Sequence, residues 1–122
     1  MDRPEEIEGQ AFEGLVAQHL RAWIDYSGRD FKLYFWRTRS GVEVDFVVYG
    51  AEGLFAIEVK NAARIQPQDL RGLRAFQQDY PQSRAYLLYR GKERLMKDGI
   101  LCLPGEEFLL TLQPHRLIGD GL

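Results

Sequence analysis

Val42-Glu43-Val44-Asp45-Phe46-Val47-Val48-Tyr49, then Gly50-Ala51-Glu52-Gly53, then Leu54-Phe55-Ala56-Ile57-Glu58-Val59-Lys60, is the stretch that decides the fold. Two runs rich in β-branched and aromatic residues, joined by a short Gly-bounded turn, predict a β-hairpin. Strand alternation puts Val42, Val44, Phe46 and Val48 on one face of the first run and Glu43, Asp45, Val47 and Tyr49 on the other. In the second run Phe55, Ile57 and Val59 share a face, opposite Leu54, Ala56, Glu58 and Lys60. A loop centred between Ala51 and Glu52 pairs Glu43 with Lys60 and Asp45 with Glu58, with opposed β-carbons about 4.5–5.5 Å apart. The first pair is an ordinary ion pair. The second sets two like charges against each other, which destabilises a sheet unless a proton, a basic side chain or a metal ion neutralises them.

Upstream, residues 5–24 predict one amphipathic helix, with Phe12, Leu15, Val16, His19, Leu20 and Trp23 recurring at spacings of three and four. Ser27-Gly28-Arg29-Asp30 ends it, and the aromatic run from Phe31 to Thr38 predicts a strand that turns at Arg39-Ser40-Gly41 into the hairpin. Downstream, Pro67 suits the first turn of a second helix, with Asp69 near its positive end and Leu70, Leu73, Phe76 and Tyr80 as the buried stripe. Ala85 to Tyr89 is continuously apolar, as in a strand covered on both faces. A fifth short strand over Gly99 to Leu103 and a final helical turn over Phe108 to Leu112 complete the chain. The short connections predict an antiparallel meander, and the helix between the third and fourth strands predicts a crossover back to a parallel partner. The expected class is therefore α/β, in the order αβββαβ, with a mixed central sheet flanked by helices. A chain of 122 residues holds one such domain, spanning residues 1–122, and not two.

Glu13 falls between Leu20 and Ile24 on the helical wheel, on the side expected to pack on the sheet, whereas His19 reads as a core or boundary histidine. Glu13, Asp45 and Glu58 can thus gather near Lys60. Hard divalent ions such as Mg²⁺ or Mn²⁺ take oxygen ligands of this kind, and an ion so held polarises a phosphodiester and lowers the pKa of an attacking water. Lys60 would orient that water or offset charge on the phosphorus.

The formal net charge is −2, which excludes a bulk polycation. Segment by segment, residues 1–13 carry −4 and residues 14–59 carry −1, whereas residues 60–97 carry +6 and residues 98–122 carry −3. One continuous stretch is therefore basic and suited to a polyanion. The single cysteine, Cys102, lies in an apolar run and reads as a small buried hydrophobe, so no intrachain disulfide is expected. Two histidines and one cysteine do not build a structural zinc site. No apolar run approaches the roughly 20 residues of a membrane span, no signal peptide is evident, and the expected compartment is the cytoplasm. No phosphate-cradling G-x-x-x-x-G-K-[ST] loop is present.

Asp45, followed by Glu58-Val59-Lys60 on a hairpin flanked by two helices, resembles the core of the PD-(D/E)XK nuclease superfamily, whose common order is αβββαβ. The chain is also similar to the nuclease-like C-terminal domain of a family of prokaryotic AAA-type ATPases. The resemblance runs through Phe12-Glu13 to Leu20, Tyr34 to Val47 (with Phe35 inserted before Trp36), Ala56 to Lys60, Asp69 to Phe76, and Leu103-Pro104 with Phe108-Leu109. It implies a restriction-endonuclease-like fold and a metal held by Asp45, Glu58 and the backbone carbonyl of Val59. It also implies Lys60 as the catalytic lysine and Glu13 as the first-helix acid. The ATPase module that normally precedes such a domain is not expected in this chain.

Two readings follow. In the first the domain is a Mg²⁺- or Mn²⁺-dependent nuclease acting on DNA, with RNA left open, and Arg37, Arg39, Arg64, Arg71 and Arg74 contact the phosphates. In the second it is a catalytically inactive accessory domain that binds nucleic acid, an AAA-type ATPase partner or a second copy of the chain. Tyr34, Trp36 and Tyr49 would then belong to the interaction surface.

Overall fold

The structure is a computed structural model that describes residues 3–122; the first two residues of the expected domain lie outside the described residues. Helix α1 (Pro4–Ser27) starts with proline in its first turn, followed by Glu5 and Glu6 where acidic side chains complement the helix dipole. It ends at Gly28, whose φ of 66° is the left-handed conformation that glycine adopts without a Cβ penalty. Strands β1 (Phe31–Arg37), β2 (Glu43–Gly50) and β3 (Gly53–Val59) form the expected meander. A 3₁₀ turn (Pro67–Leu70) and helix α2 (Arg71–Asp79) lead to β4 (Arg84–Tyr89), then β5 (Leu95–Lys97), β6 (Ile100–Pro104) and helix α3 (Gly105–Leu110).

The six strands form one mixed sheet in the order β1-β2-β3-β4-β6-β5. β1, β2 and β3 are antiparallel neighbours, β4 is parallel to both β3 and β6, and β5 returns antiparallel along β6. The three-residue β5 carries Leu95-Met96-Lys97, too short and too mixed to register as a periodic strand. It exists because β6 offers it a partner.

Each face of the sheet has its own core. On one, Phe12, Val16, Leu20 and Trp23 of α1 and Phe108 of α3 pack against Phe46, Phe55, Ile57 and Leu88. On the other, Leu70, Leu73 and Phe76 pack against Val44, Val47, Ala56 and Leu87. The Trp23 indole N–H donates to the carbonyls of Gln113 and Arg116, both at 3.0 Å, tying the C-terminal segment to α1. Cys102 is buried, as its apolar setting predicts. No described helix is long and apolar enough to cross a membrane.

Four details differ from the expected pattern. Leu15 and His19 are exposed rather than buried; α1 crosses the sheet on its Phe12-Val16-Leu20-Trp23 line, and the His19 Nδ1 turns back to the Leu15 carbonyl at 2.9 Å. Tyr80 caps the end of α2 half-exposed, stacked on Phe76 at 4.7 Å. Val44 lies on the α2 face with Val47, not with Phe46 and Val48 on the α1 face. The reason is a bulge. Tyr34 pairs with Val47 but Trp36 pairs with Val44, so Asp45 and Phe46 together oppose Phe35. An extra residue in one strand resets the alternation beyond it and re-aims the bulged side chain.

Helix α2 approaches the sheet closely at Gly72, where a Cβ would come within 2.0 Å of the Glu43 carbonyl oxygen and 3.4 Å of the Glu58 Oε2. Gly72→Ala should therefore destabilise the fold by roughly 1–3 kcal/mol, as overpacking against backbone does. A lowered urea midpoint with an unchanged slope would register it; an unchanged midpoint would show that α2 shifts freely.

Candidate functional site

The predicted register holds from Gly50–Gly53 to Phe46–Ile57, and there the β2–β3 ladder stops. Beyond it the side chains take over the backbone hydrogen bonding. The Asp45 N–H donates to Glu58 Oε1 at 3.0 Å, and the Val59 N–H donates to Asp45 Oδ2 at 2.8 Å. Each carboxylate thus occupies the place of a carbonyl on the opposite strand, and the predicted Asp45/Glu58 opposition is realised as a reciprocal clasp. Burial pushes the Glu58 carboxyl up to about 10, aided by its hydrogen bond to Asp45 and the Asp45 charge, against a partly compensating N–H from Asp45. With no cation beside it, this acid holds its proton at neutral pH.

Glu13, on α1, shares a pocket of about 460 Å³ with Phe35, Trp36, Arg37, Glu43 and Asp45. It is an exposed residue of the helix, yet its carboxyl is raised, first by partial burial and then by the charges of Asp45 and Glu43. The three predicted acids are therefore brought to one end of the sheet. Among the described residues no three Asp, Glu, His or Cys side chains stand close enough to enclose a metal ion as they are. The Asp45–Glu58 pair nonetheless fits a hard divalent ion in kind, because it offers carboxylate oxygens from two adjacent strands.

The predicted Glu43–Lys60 ion pair does not form. The strands have parted before this pair, and each residue finds another partner. Glu43 accepts from Arg37 at 2.8 Å, and the Lys60 ammonium lies 3.2 Å from Asp69 Oδ1. Asp69 is nearly buried, and its other oxygen accepts from the Gln66 N–H at 2.7 Å. Asp69 therefore positions Lys60, a role not foreseen from its place at the start of the helix. A signal was there to read, since Asp69 is the one acid between Lys60 and Gln78.

The basic segment resolves into two places. Arg64 joins Arg90, Lys92 and Lys97 along a groove of about 560 Å³ between the loops that follow β3 and β4, with Glu93 as its one acid. These loops are tied together by the Arg90 N–H donating to the Ala62 carbonyl at 2.9 Å. Arg90 itself is held by Asn61 and lies 4.6 Å over the Phe12 ring. Arg71 and Arg74 instead project from the exposed side of α2, with Arg74 3.7 Å from Asp98. Arg39 is exposed in the β1–β2 turn, while the exposed Arg37 is committed to Glu43. Arg90, Lys92 and Lys97 were visible as charges but not as lining, because their convergence depends on two loops distant in sequence.

The acid pair, Lys60, Arg37 and Arg90 sit at one end of the sheet, whereas Lys97 and the Arg74–Asp98 pair lie toward the amino end of β6. β1, β3, β4 and β6 run in one direction, so their carboxyl ends lie beside the amino ends of β2 and β5. Open α/β sheets take ligands at this end. With strands about 4.7–4.9 Å apart, the acid pair on β2 and β3 stands one strand from the loop that carries Arg90.

The raised Glu58 carboxyl has a consequence for stability. Its native pKa of about 10 exceeds the ordinary 4.5, so between these values the native state holds a proton that the unfolded chain releases. The contribution is complete below the lower value and is lost as pH rises. The melting temperature should fall between about pH 5 and pH 9, and Glu58→Gln should flatten that slope. An identical slope in the variant would refute the assignment.

The chain is similar to two mycobacterial proteins, the uncharacterized protein Mb2031c of Mycobacterium bovis and the uncharacterized protein Rv2008c of Mycobacterium tuberculosis. Each is 27% identical over 111 residues, covering 90% of this chain and 24% of the relative. The chain thus spans about a quarter of the length of these curated relatives. Residues 8–108 match the family described as Domain of unknown function (DUF4143), which takes in the helix of Glu13, the clasped hairpin, Lys60 with Asp69, and the basic groove. The chain belongs to this family.

Proposed function

We propose that this domain hydrolyses nucleic-acid phosphodiesters with the help of a divalent cation, Mg²⁺ or Mn²⁺, held by Asp45 and Glu58 with the Val59 carbonyl. The observation that carries this reading is the Asp45–Glu58 clasp at the end of the sheet, which holds two carboxyl groups against each other where the β2–β3 ladder stops. A purely structural pair at this position would be cheaper as two neutral side chains. The resemblance of Asp45 and Glu58-Val59-Lys60 to the PD-(D/E)XK core supports the same conclusion, and with it a restriction-endonuclease-like arrangement of the sheet.

When bound, the cation supplies Lewis-acid polarisation of the phosphoryl group and a more acidic water. The protein's own groups do the rest. Lys60, held by Asp69 at 3.2 Å, would bring a positive charge from the end of β3 to the developing oxyanion. Glu13 closes the site on the α1 side. Arg64, Arg90, Lys92 and Lys97 hold the backbone on the β4 side, and Arg39, Arg71 and Arg74 extend the cationic rim. DNA is the primary candidate, with RNA tested beside it.

A second reading, the inactive accessory domain, draws on the exposed aromatics of β1 and on relatives about four times longer than the matched region. In them the remaining chain, in the manner of an AAA-type ATPase, would supply the activity. A homodimer would serve the same purpose.

Titration of labelled DNA and RNA with Mg²⁺ or Mn²⁺ separates the two. The nuclease reading expects cleavage only with the ion, and Asp45→Asn or Lys60→Met should each slow it by about 10²–10³-fold. Wild-type protein that shows neither metal-dependent heat nor cleavage would establish the accessory role instead. Binding should also weaken steeply with salt, and Arg64→Gln, Lys92→Gln and Lys97→Gln should each reduce the log–log slope by about 1. Slopes unchanged in all three would remove the groove from the binding surface.

A further inference from the structure

We infer that the aromatic cleft between β1 and the end of α2 stacks an unpaired base, so that the nucleic acid accepted at the acid pair is single-stranded. This rests on the phosphodiester reading and names its substrate class.

The cleft, of about 330 Å³, is lined chiefly by Tyr34, Trp36, Tyr49, Phe76 and Tyr80, with Gln82 at its edge. That volume lies near the lower end of the range, roughly 300–1,000 Å³, for clefts that hold small ligands. Tyr34 is 47% exposed, Tyr49 55% and the adjoining Phe35 78%. Rings exposed this far leave much of their face open to a ligand, yet they sit beside a packed mounting. Trp36 meets Phe76 edge-on at 5.3 Å and 88°, and Phe76 in turn packs on Tyr80.

Three further features favour a base over an apolar protein segment. Phe35 and Trp36 line both this cleft and the pocket of Glu13 and Asp45, so the two adjoin. From Trp36 to Tyr34 is two residues of strand, about 7 Å, which keeps a stacked base close to a phosphate at the acids. No acidic residue lines the cleft. Exposed Lys32 lies opposite Tyr49 in the register, and exposed Arg39 follows Trp36 by three residues. Neither cation has an ion-pair partner among the described residues. Aromatic faces with unpaired cations nearby on the same strand and turn suit a nucleotide, whose base stacks while its phosphate pairs. A duplex does not offer this contact, because its bases are already stacked and paired.

The test measures binding without hydrolysis. In EDTA, fluorescence anisotropy of the full chain is followed with a labelled oligothymidylate, with a duplex of the same length, and with an abasic single strand of the same charge. The single strand should bind about 5–100-fold more tightly than the abasic strand, the range that stacking of one base contributes, and more tightly than the duplex. Tyr34→Leu and Phe35→Leu, at exposed positions that spare the core, should abolish the preference for the intact single strand. Oligothymidylate should also quench Trp36, because the other tryptophan, Trp23, is buried.

Equal affinity for the three probes, or no binding to any, overturns the inference. So does a dimer in sedimentation that Tyr34→Leu dissolves while nucleic-acid affinity is unchanged, since the cleft then serves a second copy. Selective binding without cleavage in Mg²⁺ leaves the stacking site standing and removes only the hydrolytic reading. Cleavage of duplex and single strand at equal rates, unaffected by Tyr34→Leu, does the reverse.

Discussion

Where β2 and β3 separate, the Asp45 N–H donates to the Glu58 carboxyl and the Val59 N–H to the Asp45 carboxyl, and the arrangement of this end of the molecule depends on that pair of bonds. A pleated ladder would have paired the two backbones and left the carboxylates to repel one another. The bulge opposite Phe35 re-aims Asp45, so the strands part and two N–H groups are satisfied by side-chain oxygens instead of carbonyls. Buried donors rarely go unpaired, so the clasp is a condition for opening the sheet here at all. The same opening leaves Glu43 free to pair with Arg37 and Lys60 free to reach Asp69.

Around that opening the packing is unequal. The α1 face is a deep aromatic and aliphatic core, locked at both termini by Trp23 and the C-terminal segment. The α2 face is covered by a helix of nine residues, enough to bury Val44, Val47 and Ala56 but not to reach across β1. What the short helix fails to cover is the aromatic cleft, and what it covers tightly, at Gly72, is the acid pair. The α2 side thus presents different chemistry at adjacent positions: the acid pair and Lys60 near its start, and exposed rings near its end.

Legibility in the sequence followed the range of the interactions. The meander, the Gly50–Gly53 turn and its register, and the Asp45/Glu58 opposition were all readable, because each depends on neighbours within one hairpin. The Phe12-Val16-Leu20-Trp23 line was readable from helical period. The period alone did not say which edge of the stripe would face the sheet, so Leu15 and His19 were placed inside and are found outside. The bulge left no mark in the alternation of Val42, Val44 and Phe46, and the face of Val44 was misassigned with it.

The sequence carried the local determinants: residue spacing for helix and strand, glycines for the turns, and two acids at opposed positions of a hairpin. Period and turn chemistry act over a few bonds, so they survive without a fold. Which partner Lys60 takes, which loop brings Arg90, Lys92 and Lys97 to Arg64, and which rings α2 leaves uncovered emerged only on folding. Each depends on strands brought together from distant parts of the chain and on the length of a helix relative to the sheet beneath it.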